Sequence, residues 1–576
     1  MTLPPIITNW FSQRGWAPRR HQLEMVDAAA EGRHALLVAA TGAGKTLSGF
    51  LPTLAELVSD PDFDGLHTLY ISPLKALAVD VRRNLLMPVE EMGLPIRIET
   101  RTGDTPSERK ARQRVRPPHI LLTTPESLSL LLSHEDSLLM FAGLKRVIID
   151  EVHAFANSKR GDLLSLSLAR LQKLSPQMQR VGLSATISDP DAYRAWLAPY
   201  GEIDAVRLVE GEPAADPDLQ ILLPEGRVPW SGHSGHYAIP QLIEEIGRNR
   251  TTLIFCNTRF LAEFIFQKLW DANDPKYPIG IHHGSLSVEA RRKVEGAMAA
   301  GELKALVCTA SLDLGVDWGD VDCVIQMGAP KGSSRLLQRI GRSNHRMDEP
   351  SKALLVPGNR FEYLEAQAAF DAVEEGVRDG EVFRPGGYDV LAQHVMACAC
   401  AAPFNEAELL DEVRSAMPYN GLDAATFGRV IEFVATGGYA LKAYDKFRKL
   451  VPVHLPPKGE RAKGWRLAHP KFAAQHRFNA GIIVDAPMLD VRFKNGRSLG
   501  RVEESFAAPL RPGDSFIFAG MALEVEAIRD LDLIVRAAKK AAQIPSYMGA
   551  RMPLTTHLAS RVRAFLTDRA GWARFP

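Results

Sequence analysis

The sequence predicts an α/β fold in which two parallel-sheet domains follow one another and precede a helical module and a β-rich domain. The parallel sheets are predicted because short apolar, β-branched runs alternate with helical patterns, and polar or glycine-rich turns follow the runs. Length is the other observation, since 576 residues exceed what one hydrophobic core accommodates and suggest about four domains. Functional groups in such sheets lie at the carboxyl ends of the strands, and the motifs below fall there.

The apolar runs form two groups separated by a segment rich in proline and glycine. The first group comprises residues 35–40, 67–72, 119–124, 146–151 and 180–186. The second group comprises residues 251–258, 279–284, 304–310, 322–328 and 351–357. The intervening segment, residues 211–240, predicts a domain boundary near residues 205–235. Two consecutive α/β domains are expected to form a cleft, which is a common place for ligands.

The character of the sequence changes after about residue 380. Residues 388–441 carry two or three short amphipathic helical patterns and a terminal turn, which suit a winged-helix module. From about residue 450, alternating strand patterns with glycine turns predict a small β-rich domain. We expect domain boundaries at 1–206, 207–376, 377–450 (winged-helix module), 451–536 (β-rich domain) and 537–576 (basic helical segment).

The composition is that of an ordinary globular protein, with a formal net charge of +1. Nucleic-acid binding therefore has to come from local basic patches and not from the surface as a whole. Five cysteines lie in apolar runs without the spacing of a zinc knuckle, so buried thiols in a reducing compartment are the simpler interpretation. The N-terminus lacks a signal-peptide pattern and no run approaches about 18 apolar residues, so we expect a cytoplasmic protein without membrane contact.

The stretch AATGAGKT, residues 39–46, follows a strand pattern and precedes a helical one, which is the setting of a phosphate-binding loop. Lys45 is expected to meet the β- and γ-phosphates of ATP, and Thr46 to hold Mg²⁺. Ala39 stands where the strict motif has glycine, so a glycine-rich turn that merely ends a strand is the alternative. The backbone N–H groups that would surround the phosphates at the helix N-terminus belong to Thr41, Gly42, Ala43, Gly44, Lys45 and Thr46.

Asp150 and Glu151 end an apolar strand pattern about 100 residues after this loop. Two buried like charges are costly unless a cation offsets them, and Mg²⁺ is the natural candidate. We expect Asp150 to reach the metal and Glu151 to orient or deprotonate the attacking water. By itself an Asp-Glu pair at a strand end is more often part of a solvated loop, and it is the upstream phosphate loop that favours a nucleotide site.

Further side chains complete the predicted nucleotide site. Gln22, about twenty residues before the loop, is suited to adenine N6 and N7, although a solvated helix start is an equal alternative for this residue alone. The stretch QRIGRSNHR, residues 338–346, concentrates basic side chains without an acidic one. We expect Arg342, with Arg339 as a second candidate, to stabilise charge on the γ-phosphate from the second domain. For Arg346 a phosphate of nucleic acid is an open alternative.

In order, spacing and strand context, these motifs resemble those of superfamily 2 helicases. The other matching stretches are SPLKALAVD (72–80), RTGDT (101–105), TTPESL (123–128), DEVH (150–153), SAT (184–186), IFCNTR (254–259), HHGSLS (282–287) and TASLDLGVDWGDVD (309–322). The residues of SPLKALAVD, TTPESL and SLDLGVD resemble those of the large helicase-related (Lhr) family. QRIGRSNHR with FVATGGYAL (433–441) resembles its bacterial branch associated with an ATP-dependent DNA ligase. The resemblance covers almost the whole chain and implies two tandem RecA-like P-loop domains, a winged helix and a β-rich domain. Because family members extend further, residues 537–576 are expected to begin a further C-terminal domain.

The resemblance implies ATP-driven 3′-to-5′ movement on single-stranded DNA, unwinding of DNA duplexes and RNA–DNA hybrids, and a role in DNA repair. It places Gly315, Asp317 and Gln338 in the nucleotide-binding set, and it implies that Ser184 and Thr186 link the nucleotide state to strand contact. Hydroxyls, backbone N–H groups and a lysine suit the phosphates of a moving strand. The residues so assigned are Ser72, Lys75, Arg101, Thr123, Thr124, Thr258, Arg259, His283, Ser285 and Thr309.

Three positions need separate mention. His345 stands where many superfamily members place a second arginine, which leaves most of the transition-state charge to Arg342. Trp318 stands where an aliphatic residue is usual. Tyr547 lies in a segment that in relatives touches bases through an aromatic side chain; stacking on a base and packing in a core are equal alternatives for it.

We therefore expect a monomeric DNA translocase and helicase that requires ATP and Mg²⁺. The expected partners are single-stranded DNA, DNA or RNA–DNA duplexes, and a DNA ligase or nuclease of a repair pathway. An RNA helicase is the alternative within enzymes, since the same motor can grip RNA through its phosphates. A DNA clamp or scaffold that is switched by ATP without unwinding is the alternative from a different functional class.

Overall fold

The computed structural model of the chain describes residues 3–40, 42–73, 81, 85–185, 187–212, 215–223, 228–230, 232, 234–312, 321–343, 350–380, 383–455, 462–481, 487–539, 543–546 and 553–575. By their internal contacts the residues divide into two units. The first unit comprises residues 1–213 and 381–483, and the second comprises residues 214–380 and 484–576. Within the described ranges, no helix is both long enough and apolar enough to cross a lipid bilayer.

The described residues form α-helices along the whole length of the chain. They are α1 (Pro5–Gln13), α2 (Arg20–Ala30), α3 (Lys45–Ser59), α4 (Ser107–Val115), α5 (Pro125–Leu132), α6 (Ser137–Phe141), α7 (Val152–Phe155), α8 (Lys159–Leu174), α9 (Pro190–Leu197), α10 (Ile239–Arg248), α11 (Arg259–Asp271), α12 (Val288–Ala299), α13 (Ser333–Ile340), α14 (Arg360–Glu374), α15 (Tyr388–Ala401), α16 (Glu406–Arg414), α17 (Ala424–Thr436), α18 (Lys471–Asn479), α19 (Glu504–Ala507) and α20 (Thr556–Thr567). Short 3₁₀ helices lie at Pro199–Gly201, Ile203–Ala205, His236–Ala238, Ala310–Leu312, Met417–Tyr419, Asp445–Phe447 and Ala570–Arg574.

The strands form four sheets. They are β1 (His34–Val38), β2 (Thr68–Ile71), β3 (Ile98–Arg101), β4 (Ile120–Thr123), β5 (Arg146–Ile149), β6 (Gln179–Ser184), β7 (Val206–Glu210), β8 (Asp218–Ile221), β9 (Thr252–Cys256), β10 (Ile279–His282), β11 (Ala305–Cys308), β12 (Cys323–Met327), β13 (Lys352–Val356), β14 (Phe404–Asn405), β15 (Leu450–Leu455), β16 (Ala462–Leu467), β17 (Met488–Phe493), β18 (Ser498–Glu503), β19 (Ser515–Phe518), β20 (Met521–Arg529) and β21 (Asp532–Ala537).

The first unit is built on a seven-stranded parallel sheet in the order β3-β4-β2-β5-β6-β1-β7. Its five interior strands are the apolar runs of the first group, and nearly all of their residues are buried. The edge strands β3 and β7 were not predicted. Both are short and carry half-buried polar residues, so they lack the apolar run by which an interior strand is recognised.

Helix α8 joins the sheet to the winged-helix module within the first unit. One face of α8, with Leu164, Leu168 and Leu171, belongs to the core of the parallel sheet. The opposite face, with Leu163 and Leu166, belongs to the core formed by α15, α16 and α17. A helix that is apolar on both faces is buried on both, which fits the leucine-rich sequence of α8.

The winged-helix module closes with a three-stranded antiparallel sheet in the order β14-β16-β15. The sequence had placed residues 451–467 in the β-rich domain. In the structure β16 pairs with β14, opposite Phe404 and Asn405, and on its other side with β15, so both strands belong with the helices of the module. Their alternating pattern is the same in either domain, so the pairing partner could not be read from it.

The second unit contains a six-stranded parallel sheet in the order β10-β11-β9-β12-β13-β8. Strands β9 to β13 are the second group of apolar runs. Strand β8 lies inside the segment rich in proline and glycine, where the sequence indicated only a boundary. The two parallel sheets, the winged-helix module and the five-stranded sheet of the β-rich domain confirm the predicted α/β fold class.

The β-rich domain is a five-stranded sheet in the order β18-β17-β21-β20-β19. Its strand β18 associates with the loop that follows β10 in the same unit, because Arg501 N–H donates to the Ser285 carbonyl at 2.8 Å and Ser287 N–H donates to the Leu499 carbonyl at 2.9 Å. Gly500 lies between these bonds with φ of 141°, and a Cβ there would lie 2.1 Å from the Ser285 oxygen. The backbones thus approach more closely than any residue but glycine permits.

Helix α20 also packs within the second unit. Leu558 is buried in the same core as the apolar residues of α14, and Arg561 forms an ion pair with Glu375. Thr555, just before α20, donates its hydroxyl to Asp379 at 2.7 Å. Helix α20, within the basic helical segment predicted over residues 537–576, therefore packs on the second parallel-sheet domain.

Candidate nucleotide site and nucleic-acid contacts

Three adjacent strands of the first unit bring the predicted nucleotide-binding residues together. β1 lies beside β6 with Val38 opposite Ser184, and β6 lies beside β5 with Gly182 opposite Ile149. Because the strands are parallel, the residues that follow them meet at one edge of the sheet. The loop of residues 39–44 and the Asp150–Glu151 pair therefore share this edge.

The phosphate-binding loop has the conformation that its glycines allow. Gly42 and Gly44 have φ of 81° and 77°, the left-handed region that favours glycine. Lys45 opens α3, and its Nζ donates to the carbonyls of Ala39 and Ala40 at 3.0 Å each. The lysine thus folds over the loop and places its positive charge where an anion at the N-terminus of α3 would be held.

Ala39, the departure from the strict motif, is matched by Gly211. Gly211 donates its N–H to the Val38 carbonyl at 2.9 Å as the chain leaves β7 beside β1. A Cβ on Gly211 would lie 2.4 Å from the Cβ of Ala39. The alanine methyl therefore fits only because its neighbour has no side chain.

Two buried side chains of α2 support the loop from behind. His21 Nε2 lies 3.0 Å from the Ala43 carbonyl, and burial lowers the pKa of His21. Gln22 accepts from the Arg19 N–H at 2.9 Å, and its Nε2 lies 3.3 Å from where a Cβ on Gly44 would be. Gln22 is buried, so the structure does not place it at a solvated helix start. The sequence does not predict a role for His21, because its only indication is its position next to Gln22.

Asp150 and Glu151 are both buried at the end of β5. Tyr70 on β2 donates its hydroxyl to Asp150 Oδ2. Burial and the neighbouring Glu151 carboxylate raise the pKa of Asp150, against the opposing effects of the Tyr70 hydrogen bond and of Lys45. Glu151 has φ of 50°, which is uncommon for a residue with a side chain and marks a constrained backbone at this position.

These residues fit a divalent cation. A buried carboxylate with a raised pKa is short of positive charge, and hard cations such as Mg²⁺ take carboxylate and hydroxyl oxygens. Thr46 provides such a hydroxyl in the first turn of α3 and is partly exposed. Asp150 and Thr46 therefore carry the kinds of oxygen that a magnesium ion takes, and Tyr70 orients Asp150.

His153 links the acidic pair to the end of β6. Its Nδ1 lies 2.9 Å from the Ser184 hydroxyl, and its Nε2 lies 3.4 Å from Glu151 Oε2. Ser184 is fully buried. One imidazole thus contacts both the predicted water-orienting residue and the residue predicted to sense nucleotide state.

The two candidate finger arginines, one within α13 and one just after it, occupy buried positions. Arg339 is 1% exposed, donates to Gln326 and Asn257, and lies 5.0 Å from the ring centroid of Phe255. These contacts indicate that Arg339 stabilises the end of β12 against β9, and we do not assign it the role of an arginine finger. Arg342 follows α13 and is 4% exposed, whereas Gln338 on α13 is partly exposed.

The predicted strand contacts of the first unit lie around β4. Thr124 caps α5 by accepting from the Ser127 N–H at 3.4 Å, and Thr123 donates to the Arg101 carbonyl at 2.8 Å. Arg101 is buried, donates to Lys110 and Gln113, and has its pKa lowered by burial to about 10. The Arg101 side chain is therefore occupied inside the domain, and Ser72 is buried as well.

The corresponding residues of the second unit repeat the cap. Thr258 follows β9 and caps α11 by accepting from the Leu261 N–H at 3.1 Å, as Thr124 follows β4 and caps α5. Arg259 donates to the Ser285 hydroxyl at 2.9 Å. Thr258 is exposed and Arg259 partly exposed, whereas Ser285 and Thr309 are buried.

His283 has a different environment from the one its motif predicted. The ring is 0% exposed, and its Nε2 lies 3.0 Å from Glu263 Oε1. The two oxygens of Glu263 accept the backbone N–H groups of Ala519 and Gly520, in the β19–β20 turn, at 2.7 and 3.0 Å. His283 therefore contacts the carboxylate that binds the β19–β20 turn of the β-rich domain. Its buried ring offers no surface to a nucleic-acid strand.

Some predicted positions lie outside the described residues. Of the residues predicted to bind nucleotide or nucleic acid, these are Thr41, Lys75, Gly315, Asp317 and Tyr547. The same holds for Thr186, Trp318, His345 and Arg346. Their roles stay predictions.

Comparison with known families finds three matches along the chain. The model described as "DEAD/DEAH box helicase" matches residues 19–194, and "Helicase conserved C-terminal domain" matches residues 237–347. The model described as "Large helicase-related protein, winged helix domain" matches residues 372–545. The first two fall within the two parallel-sheet domains, and the third spans the winged-helix module and all five strands of the β-rich domain.

Relatives of known name match over nearly the entire chain. The "ATP-dependent helicase Lhr-Core" of Methanothermobacter thermautotrophicus is 33% identical over 586 residues, covering 98% of this chain and 67% of the relative. The "Lhr helicase/uracil glycosylase" of Escherichia coli is 31% identical over 644 residues, covering 99% of this chain and 41% of the relative. The chain thus spans about two thirds of the archaeal relative and about two fifths of the bacterial one.

Solved structures give the same result. The Mycobacterium smegmatis helicase Lhr, bound to single-stranded DNA and AMP-PNP, superposes with a TM-score of 0.72 at 32% identity, covering 84% of this chain and 63% of that one. The DUF1998 helicase MrfA, bound to DNA and AMPPNP, superposes with a TM-score of 0.73 at 21% identity, covering 93% of this chain and 72% of that one. The latter similarity concerns the fold alone.

Proposed function

Because the chain belongs to the large helicase-related (Lhr) family of ATP-dependent helicases, we propose that it uses ATP hydrolysis to move along single-stranded DNA and to unwind duplexes. The observation that carries the proposal is the group formed by Lys45, Asp150 and Glu151 at one edge of the first parallel sheet. This group combines a phosphate-binding loop with a buried acidic pair, which is the equipment of a nucleotide hydrolase.

In the proposed mechanism the N–H groups at the start of α3 hold the phosphates of ATP, aided by the positive end of the helix dipole. Lys45 moves from the carbonyls of Ala39 and Ala40 to the β- and γ-phosphates. Thr46 and Asp150 would hold Mg²⁺, which would supply positive charge to neutralise the phosphates. Glu151 orients the attacking water and takes its proton.

The contacts of His153 support a route from ATP to the strand. Glu151 and Ser184 both lie within hydrogen-bonding or ion-pair distance of this one ring. A shift of Glu151 during hydrolysis would therefore alter the bond to Ser184. We propose that this pair of contacts couples hydrolysis to strand movement.

The repeated helix caps support phosphate contacts to a strand in each parallel-sheet domain. Thr124 and Thr258 each follow a buried strand and begin a helix, α5 and α11. Helix N-termini bind phosphates through backbone N–H groups without reading bases. Side chains such as Arg101 and His283, which are buried, would then shape these ends and not touch the strand.

The finer parts of the proposal rest on family resemblance. They are movement in the 3′-to-5′ direction, unwinding of RNA–DNA hybrids, a role in DNA repair, action as a monomer, and association with a DNA ligase or nuclease. Family members named above are helicases, and one solved relative holds single-stranded DNA. Each finer part needs its own measurement.

The first experiment measures ATP hydrolysis with and without single-stranded DNA. Lys45→Ala removes the phosphate-binding amine and Glu151→Gln removes the base, so each should lower the stimulated rate by at least about a hundredfold. Lys494→Ala is a matched control, because this lysine is exposed in the β-rich domain and pairs with Glu526. A stimulated rate that survives both Lys45→Ala and Glu151→Gln would remove the basis of the proposal.

The second experiment measures strand displacement on duplexes with one single-stranded tail. The tail is placed 3′ or 5′, and each strand is made of DNA or RNA. Displacement from a 3′ DNA tail, of either a DNA or an RNA strand, is expected. A requirement for RNA in the tailed strand would favour an RNA helicase, and ATP hydrolysis without displacement would favour a clamp.

A further inference from the structure

The segment Tyr439–Lys449, which we call the aromatic–basic loop, connects α17 to β15 in the winged-helix module. It contains three aromatic and four basic side chains with a single acidic one. Tyr439 is 97% exposed and Tyr444 is 55% exposed. Single exposed aromatic side chains are common, but exposed rings that share one short loop with several basic side chains mark a binding surface.

The loop has a defined backbone. Gly437 and Gly438 have φ of 76° and 78° and turn the chain out of α17. Lys442 N–H then donates to the Gly438 carbonyl at 3.0 Å, and Phe447 N–H donates to the Tyr444 carbonyl at 3.0 Å. Lys449 N–H returns to the Ala435 carbonyl at 2.9 Å. The exposed rings are therefore presented by a chain of turns that is closed at its base.

The basic side chains are interleaved with the rings. Lys446 Nζ lies 4.9 Å from the ring centroid of Phe447 and 6.0 Å from that of Tyr444. The rings of Tyr444 and Phe447 are 6.1 Å apart, edge to face. Lys442 pairs with Glu432 at 2.6 Å, and Arg448 lies 3.7 Å from Asp445. With four basic side chains against Asp445 and Glu432, the surface stays positive.

We propose that the aromatic–basic loop binds single-stranded nucleic acid, with unpaired bases stacking on Tyr439 and Tyr444 and phosphates held by Lys446 and its basic neighbours. Surfaces that bind single strands without sequence preference combine exposed aromatic rings with positive charge in this way. Protein-binding surfaces are depleted in lysine, which disfavours a protein partner here. The inference rests on the proposed function, and it assigns to the FVATGGYAL stretch a second contact with the strand, outside the motor motifs.

The test is equilibrium binding of the full chain, without nucleotide, measured by fluorescence anisotropy. Two labelled strands of equal length are used, an oligothymidylate and an abasic sugar-phosphate strand. Tyr439→Ala and Tyr444→Ala should each weaken oligothymidylate binding about tenfold, which corresponds to about 1.4 kcal/mol, and leave the abasic strand unchanged. Lys446→Gln should lower the slope of log affinity against log salt by about 0.7 on both strands.

Tyr388→Ala is the matched control, because Tyr388 is an exposed tyrosine of the same module at the start of α15. Unchanged oligothymidylate affinity in both loop variants would overturn the proposal, and so would an equal loss on the abasic strand, which would exclude stacking. If the variants keep their DNA affinity but lose a self-association that the wild-type chain shows in sedimentation, the surface binds protein and the proposal also fails. Stimulation of wild-type ATP hydrolysis by DNA is measured in parallel; its absence counts against the proposed function and not against the loop.

Discussion

At the scale of single residues, the candidate nucleotide site combines motif residues with partners that lie far away in the sequence. Lys45, Asp150 and Glu151 could be predicted because each stands at a fixed place relative to an apolar run. Gly211 and Tyr70 could not, since each acts through one contact across the sheet: Gly211 with Ala39, and Tyr70 with a residue 80 positions away. Such contacts follow from strand order, which local patterns do not contain.

The fit of Ala39 to Gly211 gives a prediction. Gly211→Ala should force the two methyl groups apart and distort the phosphate-binding loop, at a cost in stability of about 1–3 kcal/mol. The KM for ATP should rise about tenfold or more. Adding Ala39→Gly removes the opposing methyl and should restore most of the lost ATP affinity. The measurement is the ATP dependence of DNA-stimulated hydrolysis in both variants.

Gly421→Ala is the control for the first substitution, because a Cβ there meets nothing within 4 Å. It should leave the KM for ATP unchanged. Failure of Ala39→Gly to rescue Gly211→Ala would show that the Ala39 contact is not what requires glycine at 211.

At the scale of elements, interior strands could be predicted and edges could not. The apolar runs identified the strands that are buried on both faces, whereas β3, β7 and β8 are partly exposed and carry polar residues. The association of β18 with the loop that follows β10 had no local signal either. It depends on Gly500, whose φ of 141° and close approach to the Ser285 carbonyl only the structure reveals.

Gly500→Ala tests the function of that association. The added Cβ would overlap the Ser285 carbonyl, so β18 should separate from the loop and the hydrogen bonds of Arg501 and Ser287 should be lost. We expect faster hydrogen exchange at both amides, by about tenfold or more, and weaker stimulation of ATP hydrolysis by DNA. Exchange measured by mass spectrometry and hydrolysis rates are the two readouts.

Gly496→Ala separates overlap from backbone strain. Gly496 has φ of 84° but a Cβ there would meet nothing within 4 Å. If Gly496→Ala accelerates exchange at Arg501 and Ser287 as much as Gly500→Ala does, strain in the β-rich domain and not contact with the loop is responsible.

At the scale of the whole molecule, each parallel-sheet domain is completed by a segment from the C-terminal third of the chain. The first receives the winged-helix module through α8, and the second receives the β-rich domain through Glu263 and Gly500. The sequence predicted the four domains but not this pairing. Each module has an ordinary amphipathic pattern, and such a pattern does not specify which surface covers its apolar face.

The whole-molecule prediction concerns Arg342, which belongs to the second unit although the nucleotide-binding loop belongs to the first. If Arg342 supplies transition-state charge, Arg342→Ala should lower DNA-stimulated hydrolysis by about 10³-fold or more while DNA affinity is retained. Arg335→Ala on the same helix, α13, is the control, because this arginine is exposed. Weakened DNA binding with intact hydrolysis would instead place the Arg342 guanidinium on the strand.

The interleaved order of the two units has a consequence for synthesis on the ribosome. The apolar face of α8 that the winged-helix module covers is made early, but its cover is encoded after residue 380. At about 5–20 residues per second, translation of residues 214–380 leaves that face open for roughly 10 to 30 s. The second parallel-sheet domain likewise lacks the β-rich domain that packs on it until residues 484–576 have been translated. A nascent chain of this protein therefore carries uncovered apolar surface twice, and it is during these intervals that chaperones would matter most.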